Sequence, residues 1–421
     1  MVSLNGDNVL RLKPTTVYYV LEAGLSLGLA TIFTVMTVYR VQTVGLNPLQ
    51  LVLLGTMLEA ACFVLEVPTG IVADVVSRRL SVIIGVFVMG LGAIIEGNVP
   101  LFGALLAAQV VWALGYTFIS GATQAWITDE VGEAAVEQVF LRAVQMGQAG
   151  SLVGIVGGVA LASWQINLPM LVGGGLLITL AGFLALTMTE HGFTPAPREQ
   201  RTTWGQMGAT FRDGLQAVRG RPLLLSLLGI SAITGMASEG FDRLWQNHLL
   251  VNFTFPSIGN FAPILWFGII GIVGTLISMV VVGSVSRWLR PRSAETSVRV
   301  LFWLYVLLAG SVVVFGVAQQ FGLALLAYWT ASTLRGASNP LYAAWLNRNI
   351  DSPVRATVLS MSSQCDAFGQ IAGGPIIGVV ATRISLRLAL VIAGISLAPV
   401  LLLFRRKQMP ENVAPEPSIM P

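Results

Sequence analysis

Long apolar segments dominate the sequence, and each is about as long as a membrane-crossing helix requires. A helix that crosses the hydrocarbon core of a bilayer needs about 20 mainly apolar residues. Segments of that length lie near residues 16–39, 49–72, 80–97, 101–126, 139–163, 168–189, 223–241, 262–286, 298–318, 321–346, 356–379 and 386–404. The pattern predicts an all-α integral membrane protein with twelve transmembrane helices, here called spans 1–12.

Composition agrees with a membrane protein and argues against other classes. Only 10% of the 421 residues are charged, against about 25% in soluble proteins. The chain shows no phosphate-binding loop, metal-ligand cluster or nucleophile triad, so we expect no enzyme activity, no cofactor and no metal. The excess of basic residues suits the surface of a lipid bilayer, and we expect no nucleic-acid partner.

The distribution of Lys and Arg predicts the orientation. If both termini are cytoplasmic, nineteen of the 24 Lys and Arg residues fall on that side. Arg335 lies within a span, and the other four fall outside, at Arg40, Arg243, Arg383 and Arg387. Because cytoplasmic loops carry the excess of Lys and Arg, we expect cytoplasmic termini and a multi-pass protein of the inner (plasma) membrane.

The chain divides into two halves of six spans each. Residues 1–190 and 223–405 form the halves, 191–222 form the one long connection, and 406–421 form a cytoplasmic tail. Apolar residues recur at steps of three and four within 204–218. This spacing predicts an amphipathic helix on the membrane surface, with a mobile connector as the alternative.

The two halves also repeat in sequence. Trp126 and Trp345 are 219 residues apart (345 − 126), as are Gly150 and Gly369. The same offset links several further pairs in spans 4–5 and 10–11. Parallel internal repeats are typical of transporters built from two six-helix bundles.

The segment 65–79 between spans 2 and 3 carries the most specific motif. Gly70, Asp74 and Arg78 follow one another at four-residue steps, and the segment is predicted to turn at Pro68 and Gly70. This spacing resembles the signature loop between the second and third helices of the major facilitator superfamily. The resemblance assigns a conformational switch to Gly70, Asp74, Arg78, Arg79 and Asp129.

The resemblance implies two pseudo-symmetric six-helix bundles around a central cavity, moving by alternating access. Within the superfamily, the chain looks most like the bacterial twelve-helix drug:proton antiporters, including the macrolide and tetracycline branch. That likeness implies a monomer that exports small hydrophobic or drug-like compounds in exchange for protons. Span 5 departs from those exporters, because Ile155 follows Gly154 where their signature has a Gly-Pro pair.

Two alternatives remain beside drug export. The first is uptake or export of a nutrient or metabolite by the same fold. The second is a protein of another class, a membrane assembly factor or lipid-handling protein that transports nothing. Flux of substrate and protons in proteoliposomes separates the transport functions from the other class.

Ionisable groups within spans are costly and usually mark a pathway or a pair. Glu22, Glu59 and Asp366 are the predicted proton carriers, although each could equally serve as a structural hydrogen-bonding group. Arg335 and Asp366 lie at similar depths and are predicted to form a pair. Three further carboxylates, Glu96, Glu239 and Asp242, lie near predicted outer ends, where their side chains can reach the membrane surface.

Aromatic residues and methionines near the middle of the spans could line the cavity. The candidates are Phe33, Met36, Trp112, Tyr328 and Trp329, and packing is the alternative for each. The two cysteines, Cys62 and Cys365, fall in spans 2 and 11 at similar depths. The family resemblance puts those spans side by side, so the two thiols could face each other across the interface, and two unrelated buried thiols that act as small hydrophobic groups are the alternative. The two histidines, His191 and His248, are predicted to lie outside the spans.

Overall fold

The computed structural model describes residues 12–195, 222–257, 262–289, 294–349 and 352–405. Within these ranges the protein is helical and contains no β-strand. The first half consists of α1 (Pro14–Gln42), α2 (Pro48–Val75), α3 (Arg78–Asn98), α4 (Phe102–Ile119), α5 (Ala122–Val131), α6 (Glu133–Trp164) and α7 (Leu168–Thr187). The second half consists of α8 (Pro222–Asn252), α9 (Ala262–Leu289), α10 (Ala294–Val317), α11 (Phe321–Asn349), α12 (Ser352–Arg383), α13 (Leu386–Ile395) and α14 (Ala398–Arg405).

These helices form the twelve spans. Ten segments within the described ranges are long and apolar enough to cross a membrane, and α8 and α11 are of similar length but are not among those ten. Span 4 is divided into α4 and α5 at Gly121, which has φ +75°. Span 12 is divided into α13 and α14 around Ser396. The expected all-α, twelve-span architecture is confirmed.

Two predicted features of the helices are wrong. Pro68 lies inside α2, which runs on to Val75, so the turn between α2 and α3 falls at Val76 and Ser77 instead of at Pro68 and Gly70. The Ser77 hydroxyl caps α3 by accepting a hydrogen bond from the Leu80 amide. The apolar pattern predicts that span 7 ends at 241, but α8 continues to Asn252.

The extension of α8 changes the position of several polar residues. His248 is fully buried within α8, contrary to the expectation that it lies outside the spans. One ring nitrogen lies 3.1 Å from the Phe315 carbonyl oxygen, and the other lies 3.1 Å from the Asn252 amide nitrogen. Both ring nitrogens therefore have partners, and Asp242 and Arg243 lie within the extended helix instead of at its end.

Glycine contacts repeat between the two halves. A Cβ at Gly150 of α6 would overlap the Ala23 carbonyl of α1, and a Cβ at Gly369 of α12 would overlap the Ala232 carbonyl of α8. The equivalent residues are 209 positions apart on α1 and α8 (232 − 23) and 219 positions apart on α6 and α12 (369 − 150). The sequence repeat therefore corresponds to the same close helix packing in each half.

We name the two faces of the protein after the long connection between its halves. The linker side is the face where α7 ends and α8 begins, and the other face is the opposite side. Toward the opposite side, the Leu49 amide donates to Thr382 Oγ1 at 2.8 Å, and Gly378 packs against Leu49 and Val52. These contacts hold α2 of the first half against α12 of the second. The predicted amphipathic helix within 191–222 and the tail 406–421 fall mainly or wholly outside the described residues.

Candidate functional site

An ion pair and a third charged group connect the two halves in the interior of the protein. Arg243 of α8 donates through Nε to Glu239 Oε1 at 3.0 Å. The same guanidinium approaches Glu59 of α2, with Nη2 3.9 Å from Glu59 Oε1. One arginine of the second half is thus shared between its own helix and a carboxylate of the first half.

Glycines make this approach of three helices possible. A Cβ at Gly55 of α2 would overlap both Glu239 Oε1 and Arg243 Nε. On α12, a Cβ at Gly374 would lie 3.0 Å from Glu239 Cγ and 3.2 Å from Thr56 Oγ1. The Glu239 carboxylate is therefore enclosed by α2 and α12, and Glu239 is only 1% exposed.

Arg335 pairs with Asp242, and the predicted Arg335–Asp366 pair is wrong for this conformation. Arg335 Nη1 of α11 lies 2.6 Å from Asp242 Oδ1 of α8. Asp366 Oδ2 instead accepts a hydrogen bond from Gln370 Nε2 at 2.8 Å. The prediction fails because an early end to span 7 places Asp242 near a membrane surface, away from Arg335.

These residues form a group that we call the interface charge cluster. Its members are Glu59, Glu239, Asp242, Arg243, Arg335 and Asp366. Three of the predicted site residues, Glu59, Arg335 and Asp366, belong to it, and Glu59 and Asp366 lie close enough to interact electrostatically. The third predicted carrier, Glu22, is on α1, where its side chain interacts with the Tyr18 hydroxyl of the same helix.

Glu96 has a different role from the one expected near a membrane surface. It is buried and forms a two-point ion pair with Arg40, with Nε–Oε1 2.7 Å and Nη2–Oε2 3.0 Å. Gln109 donates to the same carboxylate at 3.1 Å, and Tyr39 donates to the Glu96 backbone carbonyl at 3.0 Å. Arg40 therefore does not lie in an outside loop. It stabilises the contact of α1, α3 and α4.

A second group of polar contacts lies on the linker side. Arg78 forms an ion pair with Asp129 and also donates to the Ala125 carbonyl at 3.2 Å. Arg79 donates to the carbonyls of Ala185 and Met188, both at 2.6 Å, at the end of α7. The structure thus brings Arg78 and Asp129 together, as the family loop implies, and their role as a switch stays a prediction.

Glu190 and Glu130 complete this linker-side group. Glu190 accepts from the Ser77 hydroxyl at 2.6 Å and from the Arg79 amide at 3.0 Å, at the start of α3. Glu130 accepts from the amides of His191 and Gly192. These hydrogen bonds hold the first residues after α7 against the start of α3 and the end of α5.

The other two residues of the family motif are Gly70 and Asp74, and neither makes a comparable side-chain contact among the described residues. A Cβ at Gly70 would meet no atom within 4 Å, so close packing does not require a glycine there in this conformation. Asp74 is half-buried near the end of α2. Their assignment to the conformational switch therefore stays a prediction from the family resemblance.

The aromatic candidates mostly pack within a half. Met36 and Trp112 are buried in the core of the first half, and Tyr328 stacks on Trp245 with ring centroids 4.1 Å apart. Trp329 donates to the Ile270 carbonyl at 3.1 Å. Phe33 is the most exposed of the five candidates and meets Trp112 edge to face.

The sequence interpretation missed Arg243, Glu239 and Glu190 as site residues. The four-residue step from Glu239 to Arg243 is the spacing of an ion pair on one helix, and it could have indicated that α8 continues. Nothing in the sequence placed Glu190 beside Ser77. Among the described residues no group of three His, Cys, Asp or Glu side chains could hold a metal ion.

The twelve-span fold in two repeated halves, with charged groups at their interface, defines a multi-pass membrane transporter. The chain belongs to the Major Facilitator Superfamily, whose family model matches residues 19–360. The chain is 22% identical over 399 residues to the uncharacterized MFS-type transporter YxaM of Bacillus subtilis (strain 168), covering 92% of this chain and 94% of the relative.

Solved structures show the same fold at low sequence identity. A nucleoside transporter NupG mutant matches with a TM-score of 0.75 and 14% identity, covering 93% of this chain and 99% of that chain. A bacterial homologue of the human lysosomal transporter Spinster, in an inward-facing and occupied conformation, matches with a TM-score of 0.69 and 14% identity, covering 93% and 95%. These likenesses extend to the fold and not to the substrate.

Proposed function

We propose that the protein is a proton-coupled secondary transporter that works by alternating access and exports small hydrophobic or drug-like compounds. The observation that carries the proposal is the position of Glu59 on α2, within 3.9 Å of Arg243 on α8. The carboxylate belongs to one half and the arginine to the other. Any change in the charge of Glu59 therefore acts directly on the contact between the halves.

Proton binding at Glu59 would weaken that contact. A carboxylate attracts the guanidinium only while it is ionised, and a partly dry interior makes the loss of that attraction larger than in water. Protonation of Glu59 would leave Arg243 paired only with Glu239 and would favour separation of α2 from α8. The binding of a proton to Glu59 is thereby linked to which side of the membrane the protein faces. Coupling between protons and transport requires this link.

The direction of transport and the membrane in which the protein lies are part of the proposal. The excess of Lys and Arg supports a cytoplasmic linker side, and the burial of Arg40 and Arg243 removes two of the four residues that argued against it. With contacts such as Leu49 to Thr382 on the opposite side, this conformation would face the cytoplasm. We propose a monomer in the inner (plasma) membrane that leaves its substrate chemically unchanged.

Flux in proteoliposomes tests the proposal. Compounds that raise the melting temperature of the purified protein are added to vesicles carrying a pH gradient and an internal pH-sensitive dye. Transport should depend on the gradient in the wild type, and Glu59→Gln should lose that dependence while still binding the compound. Glu22→Gln and Asp366→Asn test the other two candidate carriers, and exposed Glu137→Gln of α6 is the control.

The outcomes separate the alternatives. Substrate and protons moving in opposite directions support export, whereas movement in the same direction supports nutrient uptake. Gradient dependence retained in Glu59→Gln would remove Glu59 from the mechanism. Compounds that bind without any flux would favour an assembly or lipid-handling protein.

A further inference from the structure

A cleft lies inside the second half, between α8, α10, α11 and α13. Every described residue that lines it belongs to these four helices, so the cleft is distinct from a central cavity between the halves. Its volume is about 460 Å³ with the open mouth included, and the enclosed part is small, so that it suits a single ring or a short chain. Small-molecule sites are typically clefts of about 300–1,000 Å³ with apolar walls and a few polar groups.

The mouth of the cleft lies between α8 and α11. Thr234 and Ser238 of α8 and Arg335 of α11 are the partly exposed residues of its wall, whereas the other lining residues are buried. On the far side, α10 and α13 pack closely, because a Cβ at Gly394 would lie 3.0 Å from the Val313 amide nitrogen. A ligand would therefore enter between α8 and α11, past the guanidinium, and not from the lipid beside α10 and α13.

Arg335 supplies hydrogen-bond donors at this mouth. A guanidinium carries five N–H groups, and among the described residues only Nη1 of Arg335 has an acceptor, Asp242 Oδ1. The ion pair with Asp242 already balances the charge of Arg335. The remaining N–H groups can therefore donate to an uncharged acceptor, such as a carbonyl oxygen, and no further negative charge is needed.

Serine hydroxyls supply acceptors in the same cleft. Ser238 donates to the Gly235 carbonyl at 2.9 Å, and Ser338 donates to the Leu334 carbonyl at 2.6 Å, each within its own helix. A hydroxyl has one hydrogen to donate and two lone pairs that accept, so both oxygens can still accept a hydrogen bond from a ligand. The rest of the wall is mainly apolar and includes Phe241.

We propose that this cleft binds a small neutral molecule that carries an amide group on an apolar ring or chain. The amide carbonyl accepts from Arg335, the amide N–H groups donate to Ser238 and Ser338, and the apolar body packs deeper in the cleft. A carboxylate is disfavoured because it has no hydrogen for the serines and brings a negative charge beside Asp242. A cation is disfavoured because it meets Arg335. The ligand need not be transported, so the site goes beyond the function proposed above.

Four probes of nearly equal shape test the proposal. Para-fluorobenzamide is neutral with a donor and an acceptor, para-fluoroacetophenone keeps only the acceptor, and para-fluorobenzoate and para-fluorobenzamidinium carry opposite charges. Fluorine NMR titrations at neutral pH measure their binding to the purified protein in detergent, with protein-free detergent as the blank. The amide should bind saturably, and the two ions should bind no more than to the blank. The ketone should bind about fivefold more weakly than the amide, the effect of about 1 kcal/mol for a neutral hydrogen bond.

Variants assign amide binding to the cleft. Ala331→Leu fills part of the cleft and should abolish amide binding, with Ala107→Leu, exposed on α4 of the first half, as the matched control. Ser238→Ala removes an acceptor, so it should weaken amide binding about fivefold and leave ketone binding unchanged. Arg335→Lys keeps the charge beside Asp242 but loses the planar fork of donors, so it should weaken amide and ketone binding alike. Melting curves show whether each variant is folded.

Several results would overturn the proposal of a neutral-ligand site. These are no saturable binding of the amide, binding of either ion as tight as that of the amide, or amide binding that is unchanged in both Ala331→Leu and Ser238→Ala. The titration needs neither a gradient nor transport, so its outcome is independent of the proposed function. Amide binding in a protein without any flux would contradict the transporter function and support the cleft site. Gradient-driven flux in a protein that does not bind the amide would contradict the cleft site alone.

Discussion

Arg335 of α11 contacts Asp242 of α8 at 2.6 Å, so the intramembrane arginine of the second half is paired within that half. The pair joins two helices that also meet where Tyr328 stacks on Trp245, and its side chains are 34% and 42% exposed. The neighbouring Arg243 instead reaches across to α2. Two adjacent residues on α8 therefore serve different contacts, one within the half and one between the halves.

A double-mutant cycle should detect the Arg335–Asp242 pair. Asp242→Asn and Arg335→Gln should each destabilise the protein by about 1–2 kcal/mol, less than the 3–5 kcal/mol of a fully buried pair because both side chains are partly exposed. The double variant should lose less than the sum of the single losses. Thermal unfolding in detergent provides the measurement, and the matched cycle of Arg335→Gln with Asp366→Asn should show weaker coupling. Stronger coupling to Asp366 would contradict the structure.

Substitution at Gly55 should disturb the contact between the halves. Gly55→Ala places a methyl group where Glu239 and Arg243 lie, so α2 and α8 must separate or the ion pair must rearrange. We expect reduced transport and a lower melting temperature. Gly175→Ala on α7 is the control, since a Cβ there meets nothing within 4 Å. Equal behaviour of the two variants would show that the interface has more space than the structure gives it.

The Arg40–Glu96 pair should contribute strongly to stability. Glu96→Gln or Arg40→Met leaves one buried charge without its partner, which typically costs about 3–5 kcal/mol. Arg40→Lys should rescue only part of the loss, because an ammonium group cannot reproduce the two-point contact. Thermal unfolding of the purified variants measures this, with exposed Glu137→Gln as the control. Full rescue by lysine would mean that charge alone matters at this position.

The sequence predicts the architecture well because a bilayer restricts what an apolar segment can do. Most of the predicted ends fall within about four residues of the observed helix ends. The largest error is at α8, where a run of polar residues after 238 is typical of the end of a span. The helix continues because its charges find partners on α2 and α11, and pairing partners cannot be read from one segment alone.

The site is predicted less completely for the same reason. Glu59 and Asp366 stand out as carboxylates within apolar segments, and the structure places both in the interface charge cluster. Arg243 does not stand out, because its distance from Glu59 depends on how the halves pack. Likewise, the family motif indicates Arg78 and Asp129. Glu190 contacts Ser77 only because α7 ends on the linker side, where α3 begins.

Weakening the linker-side contacts should shift the conformation more than the stability. Asp129→Asn removes the partner of a partly exposed Arg78, a loss of only about 0–1 kcal/mol. Asp74→Asn is predicted to bias the protein toward facing the cytoplasm and to reduce transport. Labelling of single cysteines introduced at either face would report the change, with Glu137→Gln as the control. Normal transport and unchanged labelling in both variants would remove these residues from the switch.

The two native cysteines offer a test of movement between the halves. Cys62 precedes Phe63 on α2, Cys365 lies three residues before Phe368 on α12, and those two rings meet at 5.2 Å. A short bifunctional thiol reagent should therefore join Cys62 to Cys365 and hold α2 against α12. Because alternating access requires the halves to move, the crosslink should stop transport, and cleavage of a reducible linker should restore it. Cys62→Ser and Cys365→Ser, each leaving one thiol, control for simple labelling. If both thiols react with a monofunctional reagent but no crosslink forms in any state, the two cysteines do not face each other.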